Sequence, residues 1–433
     1  LVLAVVTTYK NPILTFYGLL IYCFALAAIN RYLVKDAFPV GILCDAVIVY
    51  FYVLLVIKGV TGKVEWKRFG DAPFIILGFW LLYCILSLYT PDAPGFVAWF
   101  TAARKHLYLI LVVPLLCIML DAKTIKVVLI IWGVSSMILT AKSVMQQYVG
   151  LDGTEQYLIN TVMADTHMLF GKLRAFSLLS DANTFGIQQA HAAVVGSILF
   201  LHTKSFKWRI FYIIMLVTGL CGMFLSGTRG AIFVILGGAI AYCGLVKNVK
   251  LILIGALVGG SIFYAMRYTY VGNNIYAVYR MRTAFRPEKD ASYLLRMKNW
   301  AKLQKHLETR PFGGGLGSME YGPKTSLLRK IPPDSGYILV WGDMGVVGLI
   351  LFIAMYLYFL VKGALIVWFK IKNEWLRGIL IAFISALAGD VITHYGNPAL
   401  FMQPNIMIVI FSIAVIFAAP RIDRELMEKT SPN

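Results

Sequence analysis

The stretch GYILVWGDMGVVGLILFIAMYLYFLV, residues 336–361, holds 26 consecutive residues and one charge. At about 1.5 Å of rise per helical residue it is longer than the roughly 30 Å hydrocarbon layer of a bilayer. Backbone amides in lipid must be satisfied within their own segment, so such a run forms a helix. Working outward, similar runs recur along all 433 residues, of which 59% are hydrophobic and 14% charged. Soluble domains carry roughly 25% charge, which excludes a soluble globular class.

Twelve spans are expected, at 12–30, 37–57, 73–90, 105–120, 124–141, 186–202, 208–226, 230–246, 249–266, 336–361, 377–395 and 404–419. The fold class is an all-α polytopic membrane protein with about 12 transmembrane helices and a large helical loop on the outer side. The organisation divides into helices 1–9 within 1–266, the loop 267–335, and helices 10–12 with a cytoplasmic tail within 336–433. Six cysteines lie inside apolar runs without CxxC or metal-like spacing and read as packing residues.

Basic residues set the direction. Lys58, Lys67 and Arg68, then Lys123 and Lys126, then Lys204, Lys207 and Arg209 fall in alternate loops, as do Lys370, Lys372 and Arg421. The positive-inside rule places those loops and both termini in the cytoplasm. Most of the net charge of +19 is therefore topology signal, and no nucleic-acid partner is needed. Two outward segments are long, about 142–185 and 267–335. The second holds 13 Lys and Arg against 5 Asp and Glu, a net of +8. Such a surface suits an anionic lipid diphosphate headgroup, and equally fits a solvated helical hairpin.

Chemistry-bearing residues gather at the outward ends. Arg174, Asp181 and Asn183 precede the sixth span; the arginine could fork onto phosphate oxygens or be neutralised by Asp181. The turn Leu225-Ser226-Gly227-Thr228-Arg229-Gly230-Ala231 puts Arg229 at a helix amino terminus, an anion site or a snorkelling anchor. Arg296 and Trp300 share helical spacing, and Pro311 introduces a glycine run that includes Gly315. Glycines there let amides approach a ligand or make a tight turn. Asp334 precedes the tenth span as a cap or a base, with Tyr337 just after it. Asp390 and His394 lie four apart on one helix face, and ionisable groups at that depth are functional candidates or a structural pair. Arg104, Lys105 and His106 open the fourth span on the same side.

These motifs together resemble the bacterial O-antigen ligase and polymerase superfamily. The resemblance rests on Ser226-Gly-Thr-Arg-Gly-Ala231, on Arg296…Trp300…Arg310-Pro-Phe-Gly-Gly-Gly-Leu-Gly317, on Asp334-Ser-Gly-Tyr337…Gly345-Val-Val-Gly-Leu349, and on Arg174…Asp181-Ala-Asn183…Gly186. It implies a GT-C-like, metal-independent membrane glycosyltransferase without cofactor. Its donor would be a glycan on undecaprenyl diphosphate at the periplasmic face of the bacterial inner membrane. Its acceptor would be a glycan or lipid A core. In this reading Arg174, Arg229, Asp334 and His394 are catalytic, and Asp181, Asn183, Arg296, Gly315, Tyr337 and Asp390 bind substrate. The ligases are expected to carry His-Asn where Asp334-Ser335 stands here, so the expectation is a repeat-unit polymerase. A ligase is the alternative, and a multi-span transporter or flippase is the reading from another class.

Overall fold

The computed structural model describes residues 2–430 except positions 36, 63, 170, 275 and 287–290. Helix α1 (Val2–Lys10) precedes α2 (Ile13–Ile29), which a π-helical turn extends, and α3 (Ile42–Val60). Then come α4 (Phe74–Leu86), α5 (Phe96–Met119) and α6 (Ala122–Tyr148). The first long connection holds α7 (Gly153–Leu158), α8 (Ala164–His167) and a hairpin of β1 (Met168–Leu169) with β2 (Lys172–Leu173). Helices α9 (Ala182–His202), α10 (Phe206–Ser226), α11 (Ala231–Val246) and α12 (Val249–Tyr268) follow. The second connection carries α13 (Tyr276–Thr283), α14 (Ala291–Leu307) and α15 (Leu327–Lys330). Last come α16 (Gly336–Phe369), α17 (Glu374–Thr393) and α18 (Asn405–Thr430).

Each of the twelve expected spans holds a helix. Nine helices among the described residues are long and apolar enough to cross a membrane, and α4 and α11 are apolar but shorter. Large apolar side chains such as Val49, Ile75, Ile240 and Ile350 stand exposed on these helices, as lipid-facing surfaces require. The chain is an all-α multi-pass membrane protein. Helices α9, α17 and α18 are its most buried spans. The expected division at 266 and 335 has its outermost ends, Leu1 and 431–433, outside the described residues.

Several helices outrun the apolar runs that predict them. α5 begins at Phe96, so Arg104, Lys105 and His106 sit inside it rather than opening it. Each is accommodated there: Arg104 pairs with Asp45 at 2.9 Å, Lys105 pairs with Glu320, and His106 is buried against Trp80. α6 likewise continues past Lys142, which meets Asp152 and Glu155 at 3.1 Å. Lysine and arginine are good helix formers, so a charge that bounds an apolar run need not end the helix.

Helix α16 is broken at Gly345, whose φ of 68° and ψ of −174° suit only glycine. The break frees backbone groups that lipid could not satisfy. The segment after Pro311 fills the gap. Val347 donates to Pro311 O at 3.3 Å, Gly314 donates to Gly342 O at 3.0 Å, and the Tyr83 hydroxyl donates to Met344 O at 2.7 Å. Asp343, buried in the same turn, accepts from the amides of Gly317 and Met319, each at 2.9 Å. The glycine run is thus seated in the bundle.

Candidate active site

The hairpin of β1 and β2 turns the chain back beside the start of α9, and Arg174 follows it. Arg174 is 7% exposed. Its guanidinium donates to Thr166 O at 2.9 Å, Ser226 O at 3.2 Å, Asn183 Oδ1 at 2.8 Å and Thr228 Oγ1 at 3.1 Å. The fork that the sequence pattern aims at phosphate is therefore engaged by protein acceptors. Asp181 caps α9, accepting from Asn183 N at 2.8 Å and Thr184 N at 3.0 Å. Burial and then the charge of Arg174 push the His167 imidazole down to about 4. The neutral ring accepts from Ala182 N at 3.2 Å and ties the hairpin to α9.

The turn that Arg174 holds is the one carrying Arg229. Gly227 caps α10 in the left-handed region at φ 57°. Thr228 N donates to Ser226 Oγ at 3.1 Å, and Thr228 Oγ1 donates to Ala182 O at 2.7 Å. Arg229 then sits two residues before Ala231, where α11 begins. It is half-buried, and its Nη1 donates to Thr283 Oγ1 of α13 at 3.2 Å. Burial, and next the positive charges of Arg280, Arg296 and Arg174, push Arg229 down to about 10. Arginine is ordinarily protonated far above that value. Four arginines from α11's entry, α13, α14 and the hairpin thus crowd one end of the bundle.

Asp334 lies beside this group. Its side chain is 56% exposed and stands 3.7 Å from Arg296 Nε. It does not cap α16; Ser335 does, accepting from Ile338 N. Tyr337 donates to Val391 O at 2.7 Å, so α16 begins against the end of α17. His394 is wholly buried there. Its Nδ1 accepts from Leu400 N at 3.2 Å, its carbonyl accepts from Gly336 N at 2.9 Å, and its ring packs against Tyr337, Phe352 and Phe401. Gly315 is buried against the connection through Ser87, Thr90 and Ala93. Asp390 is wholly buried as well, with His191 Nδ1 2.6 Å from its Oδ2.

The matched family follows from the same region. Residues 214–353 match the family model described as O-antigen ligase. This stretch of the chain is similar to the O-antigen ligase family. No curated protein matches the chain in sequence. Members of the O-antigen ligase family are glycosyltransferase-like enzymes. The matched stretch runs from α10 into α16 and holds Arg229, Arg280, Arg296, Gly315, Asp334 and Tyr337. Arg174, Asp181 and Asn183 precede it, and Asp390 and His394 follow it.

Of the expected site residues, the fold gathers Arg174, Asn183, Arg229, Arg296 and Asp334 at one end. Asp390 and His394 are enclosed behind that group, and Gly315 packs away from solvent. The expectation omits Arg280 and His191. Arg280 sits in a short polar helix without periodicity to single it out. His191 carries a signal, because it is an ionisable residue inside a span.

Proposed function

We propose that the chain polymerises glycan repeat units carried on undecaprenyl diphosphate at the periplasmic face of a bacterial inner membrane. The observation that carries the reading is Arg229. It stands at the amino end of α11 under the like charges of Arg280 and Arg296. Their summed positive charge at one place attracts an anion. A diphosphate is such an anion, and the positive end of the α11 macrodipole adds to its binding. The basic loops expected in the cytoplasm support the periplasmic orientation.

In this reading the acceptor hydroxyl attacks the anomeric carbon of the donor glycan. The bond from that carbon to the diphosphate oxygen breaks, and the lipid diphosphate leaves. Arg229, Arg280 and Arg296 stabilise the charge that grows on the leaving group. Arg174 and Asn183 set the turn that presents Arg229. Asp334 is the more accessible of the two candidate bases, and it would take the hydroxyl proton. His394, enclosed behind Gly336, supports the entry of α16. The arginines supply the positive charge, so the reading invokes neither metal nor cofactor.

The ligase alternative shares this chemistry and differs in its acceptor, lipid A core in place of a second repeat unit. Asp334-Ser335, where the ligases are expected to carry His-Asn, favours the polymerase. A transporter would hold its charges near the bilayer midplane, whereas these arginines crowd one end of the bundle. Purified protein in lipid vesicles, given native lipid-linked donor, separates the three by mass spectrometry of the products and by the leaflet in which donor is found. Products growing by whole repeat units support polymerisation. Transfer only onto added lipid A core selects the ligase. Donor moved across vesicle membranes with no new glycosidic bond removes the enzyme reading.

A further inference from the structure

The turn of residues 394–404 between α17 and α18 leans on the arginine-bearing elements. A Cβ added to Gly230 would stand 2.1 Å from Asn397 Nδ2. Trp300 of α14 meets Tyr395 edge-on at 5.0 Å between ring centres. The turn therefore touches both the Arg229 turn and the helix that carries Arg296.

Behind it lies a polar unit with no solvent access. His191 of α9, Asp390 of α17 and Asn405 of α18 are each wholly buried. His191 Nδ1 is 2.6 Å from Asp390 Oδ2 and 3.1 Å from Asn405 Oδ1. Asn405 Nδ2 donates to Asp390 Oδ2 at 3.1 Å and to Ala399 O, inside the turn, at 2.9 Å. Apolar packing of similar volume holds helices together as well as a buried ion pair does. What the polar unit adds is direction, because a hydrogen bond fixes where the Ala399 carbonyl lies.

We infer that His191, Asp390 and Asn405 are positioning residues that brace the 394–404 turn against the Arg229 and Arg296 elements. This rests on the proposed transfer reaction, whose rate they would set without touching substrate. Displacing a group by about 1 Å near a reacting centre can lower a rate on the order of 100-fold.

The test exchanges two groups. Asp390→Asn combined with Asn405→Asp keeps a carboxylate and a carboxamide beside His191, yet removes the donor to Ala399 O. We expect the single variants Asp390→Ala and Asn405→Ala to lose both melting temperature and kcat. The exchange variant should melt above the alanine variants, short of the parent because Ala399 O is left unpaired, while kcat stays on the order of 100-fold down. Recovery of both together would overturn the inference, because a merely structural pair predicts that result. Ser136→Ala is the control: it breaks a buried bond to Gln189 Oε1 at 2.9 Å, from α6 to α9. It should lower melting and leave kcat alone. If the exchange variant does not fold, His191→Phe serves, since it keeps the edge contact with Trp132 at 5.0 Å. Wild-type turnover in His191→Phe would also end the inference. Absence of any transfer by the wild-type protein would instead remove the underlying reaction.

Discussion

Arg174 Nη2 lies 2.8 Å from Asn183 Oδ1, and the same guanidinium reaches Ser226 O and Thr228 Oγ1. One buried side chain thus fixes the start of α9 and the turn that presents Arg229. Arg174 acts as a bracket whose loss disturbs the neighbouring cation.

Lysine cannot replace that bracket, because one ammonium cannot span four acceptors in a planar fork. Arg174→Lys should lose transfer about as completely as Arg174→Ala. Both should lower unfolding free energy by about 2 kcal/mol or more, through buried acceptors left without partners. Thermal unfolding in detergent, run beside turnover, checks this. A lysine variant with native stability would show that the bracket bears no weight.

Arg229→Ala should behave differently. Arg229 is half-buried where Arg174 is buried, so transfer should vanish while the melting temperature falls less than in Arg174→Ala. The same assay distinguishes the two sites. A large drop in melting temperature for Arg229→Ala would recast Arg229 as a structural residue.

The depressed value of Arg229 sets a pH dependence. Near neutral pH the group is cationic, and its charge is lost as pH rises through about 10. Donor affinity should therefore hold near pH 7 and decline from about pH 9 upward. Arg280→Gln removes a like charge, so Arg229 keeps its proton to higher pH and the alkaline decline moves up. The pH profile of donor binding in both proteins decides. A decline that stays in place or moves down would show that the two arginines are not coupled.

Gly345→Ala should be costly. The residue sits at φ 68°, and a Cβ would stand 2.0 Å from Pro311 O. Strain of this kind costs on the order of 1–3 kcal/mol, and the seated 311–319 segment should loosen with it. Gly78→Ala in α4, with nothing within 4 Å of its Cβ, should be near neutral. Equal melting of the two variants would mean that the break in α16 is not tightly filled.

Much of the fold was legible because apolar runs of membrane length admit one backbone solution. The borders were less so. Lys142 and Arg104 read as span ends, yet their partners Asp152, Glu155 and Asp45 lie elsewhere in the chain. The Arg229 turn was legible from its small residues between two apolar runs. The fate of Arg174 was not, since its acceptors Thr166 O and Ser226 O are backbone atoms that any residue supplies. The glycine run after Pro311 reads equally as a ligand-facing loop or a tight turn until the break at Gly345 is known to need its amides and carbonyls. Asp390 looked like a partner for His394 at helical spacing, and the imidazole that meets it comes from another helix, at His191.

Binding of undecaprenyl diphosphate itself, without a glycan, probes the cationic group most directly. Titrated into nanodisc-held protein at fixed low salt, it should bind Arg229→Ala at least about tenfold more weakly than the parent, a difference of roughly 1.4 kcal/mol. The difference should shrink as salt is raised. Equal affinity in the two proteins would mean that the diphosphate is held elsewhere.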